Sequence, residues 1–97
     1  MLNNLQLLIG NNNQISDISP LKNLTKLESL HLSFNQIVRI NHLSSLISLI
    51  ELGLSDNQIT DSEPIINLSK LKRLDLSNNP LVKEFICPLR PGITCQL

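Results

Sequence analysis

A period of 22 residues constrains this chain more than any other feature. Residues 23–37 read NLTKLESLHLSFNQI, residues 45–59 read SLISLIELGLSDNQI, and residues 67–81 read NLSKLKRLDLSNNPL. Residues 1–15, MLNNLQLLIGNNNQI, fit the same frame. Leu2, Leu24, Leu46 and Leu68 form one column; Leu5, Leu27, Leu49 and Leu71 form the next; Leu8, Leu30, Leu52 and Leu74 form a third. Asn13, Asn35, Asn57 and Asn79 recur without exception, and Ile15, Ile37, Ile59 and Leu81 follow two positions later. One such unit is too short to bury its own leucines, so the units must stack on one another.

Within a unit, alternation such as Leu30-His31-Leu32 marks a short strand with one buried face. Coiling the chain once per repeat lays equivalent strands about 4.8 Å apart in a parallel sheet. A sharp turn must follow, and Asn suits it because its amide both donates to and accepts from the backbone groups the bend leaves unpaired. Stacked Asn13, Asn35, Asn57 and Asn79 are therefore expected to form an internal polar ladder with a structural role.

The second half of each unit returns along the outer side. Ile18, Leu21 and Leu24 point inward there, then Ile40, Leu43 and Leu46, then Ser62, Ile65 and Leu68, with Ser62 standing where Ile is expected. Ser19-Pro20 and Glu63-Pro64 place proline where a helical turn begins, a position its fixed φ and missing donor allow. Short helical or 3₁₀ turns are expected on this side.

The spacing L-x-x-L-x-x-L-x-L-x-x-N-x-I-x-x-I-x-x-L resembles the 22-residue class of leucine-rich repeats, found in bacterial internalins and in eukaryotic regulators of protein phosphatase 1. The stretch Asn13-Gln14-Ile15-Ser16-Asp17-Ile18-Ser19-Pro20-Leu21 is especially similar to an internalin repeat. The resemblance covers residues 2–81 and implies a curved solenoid that serves as a protein-binding scaffold; it implies no catalytic residue. The expected fold is thus α/β: a right-handed leucine-rich-repeat solenoid with a short parallel sheet on its concave face and short helical or 3₁₀ turns on its convex face. Residues 1–81 hold about four repeats, the first incomplete because Gly10 stands where Leu32, Leu54 and Leu76 recur. Residues 82–97 leave the frame and are expected to form an irregular cap or tail, with Phe85 and Ile86 folded over the last repeat as a lid. The first repeat carries no polar cap, which suggests end-to-end self-association or cover by a partner.

The positions between the leucines face the concave side. One column holds Leu7, Ser29, Glu51 and Arg73; the next holds Ile9, His31, Gly53 and Asp75; a third holds Asn11, Ser33, Ser55 and Ser77, edged by Asn12, Phe34, Asp56 and Asn78. Candidate partner-binding residues are Ser29, His31, Ser33, Phe34, Glu51, Ser55, Asp56, Arg73, Asp75 and Ser77. Glu51 and Arg73 should be lateral neighbours, and an exposed pair of that kind contributes only about 0–1 kcal/mol, more to solubility than to recognition. Phe34 is the one aromatic in a polar column. It suits an interface anchor, or else folds back onto the asparagine turn. Ser33, His31 and Asp75 supply the side chains of nucleophilic catalysis. Yet His31 and Asp75 sit two strands and roughly 10 Å apart on an open sheet, so no enzyme is expected.

Eight Lys and Arg balance eight Asp and Glu, and only 16% of residues are charged, so nothing suits a phosphate backbone and no nucleic-acid partner is expected. No run reaches the roughly 18 apolar residues of a membrane span, and the N-terminus lacks the basic start of a signal peptide. Cys87 and Cys95 are too few for a zinc site, so neither metal nor cofactor is expected. They read as free thiols, with one disulfide as the alternative, which would need an oxidising compartment. A cytoplasmic setting follows from the thiols, with a secreted or cell-surface one open if the chain is part of a longer protein. Asn23-Leu24-Thr25 and Asn67-Leu68-Ser69 match the glycosylation acceptor pattern, but both occupy one slot of the repeat and so come with its consensus. The function expected is a protein-interaction module that binds through the concave face. The alternative is a structural or assembly segment of a longer repeat array or regulatory subunit.

Overall fold

The computed structural model describes residues 3–82, 87 and 92–97 of the chain. Among these residues, five strands of three residues each form one parallel sheet in sequence order: β1 Leu7–Ile9, β2 Ser29–His31, β3 Glu51–Gly53, β4 Arg73–Asp75 and β5 Thr94–Gln96. From β1 to β4 the register advances by one repeat per strand, so Leu8, Leu30, Leu52 and Leu74 pair in a row. Each strand turns its central residue inward: in β2 the burial runs half-exposed, buried, half-exposed over Ser29, Leu30 and His31. Such strands carry little pairing energy of their own, and the sheet is held by the leucines behind it.

The return segments carry 3₁₀ turns at Ser19–Leu21, Asn41–Ser45 and Glu63–Ile65. Pro20 and Pro64 sit in the first positions of the outer two, where no backbone donor is required. Between sheet and turns lies one continuous core. Leu27, Leu30, Ile37, Leu43, Leu46, Leu49, Leu54 and Ile59 have no exposed surface at all. Ser62, standing at an isoleucine position, is buried as well. The first repeat is less complete: Leu5, Leu8, Ile15, Leu21 and Leu24 pack against the core but stay half-buried. At Gly10, where the leucine is missing, a Cβ would come within 3.0 Å of Leu32 Cδ2 and 3.3 Å of Ile15 Cδ1, and Leu8, Ile15, Ile18, Leu21 and Leu32 are among the residues lining a small apolar cavity of about 90 Å³ in this repeat.

The turn after each strand passes through the left-handed region at one residue per repeat: Asn12, Phe34, Asp56 and Asn78 have φ between 56° and 61°. Asn and Asp enter that region at little cost, whereas Phe is strained there.

Two expectations for the C-terminal stretch are corrected. Part of the supposedly irregular tail is a strand, since β5 extends the sheet with Thr94 opposite Arg73, Cys95 opposite Leu74 and Gln96 opposite Asp75. The cysteines are not free thiols: Cys87 and Cys95 form a disulfide, with Cα atoms 6.0 Å apart. Cys95 packs against the core where the other strands place leucine. Phe85 and Ile86, the expected lid, lie outside the described residues.

Candidate functional site

The asparagines are bonded in the same way in three successive repeats. Asn35 Nδ2 donates to Leu32 O at 2.9 Å in its own turn and to Gly10 O at 3.0 Å in the preceding repeat, while its Oδ1 accepts the Ile15 N–H at 3.0 Å. Asn57 does the same with Leu54 O, Leu32 O and the Ile37 N–H. Asn79 repeats it with Leu76 O, Leu54 O and the Ile59 N–H. Asn13, in the first repeat, is exposed and bonds only within its own turn, to Gly10 O and Asn11 O. Among the described residues, no buried side-chain nitrogen or oxygen lacks a partner.

In front of this ladder lies the sheet face. Ser29, Glu51, Arg73 and Thr94 are lateral neighbours, as are His31, Gly53, Asp75 and Gln96. Ser29 Oγ donates to Glu51 Oε1 at 2.7 Å, and Arg73 pairs with the other carboxylate oxygen. These two bonds, from Ser29 first and Arg73 second, hold the Glu51 carboxyl below its ordinary range. Asp75 Oδ1 accepts both the N–H and the O–H of Ser77, at 3.0 and 2.6 Å. His31 and Asp75 flank Gly53, whose missing side chain leaves a shallow depression of about 380 Å³ that Arg73, Thr94 and Gln96 also line. Gly53 is needed for that shape: a Cβ there would meet His31 Nδ1 at 3.2 Å.

One candidate is corrected by the structure. Ser55 was expected to be exposed beside Ser33 and Ser77, but it is buried, and its hydroxyl donates to Ser33 Oγ at 3.0 Å. Asp56 lies at the edge, half-buried, in the left-handed turn. Phe34 holds the equivalent place one repeat earlier, at φ 59° and 54% exposed. Leu7 and Ile9, outside the candidate set, are 53% and 63% exposed on β1. Their signal in the sequence is an apolar residue in columns where the later repeats carry Ser, Glu and Arg or His, Gly and Asp.

The model of paired leucine-rich repeats matches residues 3–45 and again 47–90, which together make up most of the chain. The chain belongs to the leucine-rich-repeat family. Solved structures agree with this leucine-rich-repeat protein in fold and in sequence. An internalin of Listeria monocytogenes, InlF, is 42% identical over 80% of this chain and 23% of its own, with a TM-score of 0.79. Internalin C2 of the same organism is 34% identical over 99% of this chain and 42% of its own, with a TM-score of 0.85. A leucine-rich-repeat protein of Leptospira interrogans is 34% identical over 79% of this chain and 20% of its own, with a TM-score of 0.72. This chain thus spans less than half the length of each of these structures. No curated protein sequence gives a match. No helix among the described residues is long and apolar enough to cross a membrane.

Proposed function

We propose that this leucine-rich-repeat chain is a non-catalytic protein-interaction module whose partner sits on the concave face. Residues 1–81 form the binding unit, and residues 82–97 close its C-terminal end. Phe34 is the observation that carries the reading. It pays backbone strain at φ 59° where the other repeats use Asn12, Asp56 and Asn78, yet more than half of the residue stays in water. Neither local propensity nor burial explains it, and strained, exposed aromatics are a mark of binding surfaces. The Cys87–Cys95 disulfide favours an oxidising compartment over the cytoplasm.

Phe34→Asn should therefore do two opposite things. Relief of the left-handed strain should stabilise the fold by about 1 kcal/mol, raising the melting temperature by about 4–8 °C. The same change should weaken retention of the partner by the immobilised chain, whereas Lys22→Glu and Glu63→Lys, at the 3₁₀ turns of the return segments, should leave it unchanged. Retention lost through the convex variants alone would place the partner elsewhere.

A second reading, assembly through the N-terminal end, is favoured by the half-buried leucines of the first repeat and by exposed Asn13. A concentration series in size-exclusion chromatography with light scattering tests it; a strict monomer at all concentrations sinks it.

A further inference from the structure

Concave-face binding leaves open what kind of partner fits. Four or five strands at about 4.8 Å spacing make a face roughly 20 Å across. An extended segment laid across these strands fits that span, and the side chains in its path differ from one end to the other.

The path is the row Ile9, His31, Gly53 and Asp75, in register across β1 to β4. At its start, Leu7 and Ile9 form an exposed apolar ledge. At its far side lies the depression over Gly53, bounded by His31 and Asp75. The charges there do not cancel. Among the described residues, Arg73 is engaged by Glu51, Asp75 receives hydrogen bonds from the neutral Ser77, and no cation pairs with its carboxylate where it lines the groove.

Resting on the concave-face reading, we propose that the groove binds an extended peptide segment that carries an apolar residue and, four positions later, Lys or Arg. Ile9 and Asp75 are three strand spacings apart, about 14 Å. Extended chain advances about 3.3–3.6 Å per residue, so four residues cover that span. Its side chains alternate, so the first and fifth residues face the sheet together. The apolar residue rests on Leu7 and Ile9. The basic residue lies over β4, where its charged head meets Asp75 at the edge of the depression. An acidic residue in that place would face Asp75 with like charge, and an uncharged one would leave the carboxylate covered and unpaired, so the site discriminates by charge.

The test uses the isotope-labelled chain titrated with three synthetic peptides and followed by amide shifts. These are acetyl-Leu-Ser-Thr-Ser-Arg-amide, the same peptide ending in Glu, and the same peptide beginning with Ser. The Leu/Arg peptide should give saturable shifts at Leu8, Ile9, Gly53 and Asp75, with millimolar affinity. Each substituted peptide should bind about tenfold more weakly or worse. Asp75→Asn retains an oxygen for the Ser77 hydrogen bonds, and it should erase the preference for Arg over Glu. Equal binding of the Arg and Glu peptides, or no saturable shift at Gly53 and Asp75 with any peptide, overturns the proposal. If that happens while partner retention still depends on Phe34, the peptide specificity is wrong and concave-face binding stands. If retention is indifferent to Phe34 as well, both fail.

Discussion

Asn57 donates to Leu54 O within its own turn and to Leu32 O in the repeat before, and it accepts the Ile37 N–H. One side chain therefore satisfies backbone groups of two repeats in a place water does not reach. Asn57→Ala strands those groups, and each buried polar group left unpaired costs about 1–3 kcal/mol. The melting temperature of this variant should fall well below that of Asn13→Ala, because Asn13 is exposed and bonds only within its own turn. Equal losses from the two substitutions would refute the ladder as the reason for the recurring asparagine. Phe34 is the opposite case at the same scale, a residue whose backbone conformation suits its neighbours in the column and not itself.

At the scale of elements, each strand is three residues long and rests on the leucines behind it, with side-chain bonds across the strands added in front. Glu51 on β3 bridges two neighbours, joined to Ser29 on β2 and Arg73 on β4. Its carboxyl is held below the range it has in the unfolded chain. Between the two values the unfolded state binds more protons, so this contribution is full above the unfolded value and disappears as pH falls through the folded one. Thermal melts taken downward from neutral pH should show wild type losing its advantage over Glu51→Gln across the acidic carboxylate range. A difference between the two proteins that stays constant with pH would show that the bridge contributes nothing through ionisation. The neighbouring serine column shows how far element-level reasoning reaches. Ser33, Ser55 and Ser77 share a position, yet Ser55 is buried while the other two are only partly covered. Ser55 has complete repeats on both sides, and its hydroxyl turns onto Ser33.

The two ends of the whole molecule are built differently. At the N-terminal end the core leucines are half-buried. At the other end β5 covers Leu74 and is tied back by Cys87–Cys95. The two cysteines are 8 positions apart. Closing so short a loop stabilises by about 2–3 kcal/mol in the chain-entropy account. Reduction with a dithiol should therefore lower the melting temperature by about 10–20 °C for a chain of this size. Melts that coincide with and without the reductant would mean that β5 holds its place through packing and backbone hydrogen bonds alone.

What the sequence by itself determined is whatever repeats. Four units on one frame make register a matter of subtracting 22, so the leucine columns, the asparagine positions and the adjacency of Ser29, Glu51 and Arg73 are all legible in the residues alone. The tertiary structure decided whatever departs from the period. β5 pairs with β4 at an offset of 21, and Cys95 takes a leucine's place, so no repeat template reaches it. The disulfide depends on how the chain returns to the sheet between Cys87 and Cys95. At Gly10 the side chains of Leu32 and Ile15, one of them from the next repeat, come close enough to crowd a Cβ. The strain at Phe34 is imposed by a turn that its neighbours fix through the Phe34 N–H to Ser55 O bond and the Asn35 ladder. The first three of these result from contacts between segments that do not share a residue type at the matching position, and a repeat pattern carries no information about them; the turn at Phe34 itself recurs, with the Asn12 N–H to Ser33 O and the Asp56 N–H to Ser77 O, and only the side chain in it departs from the period.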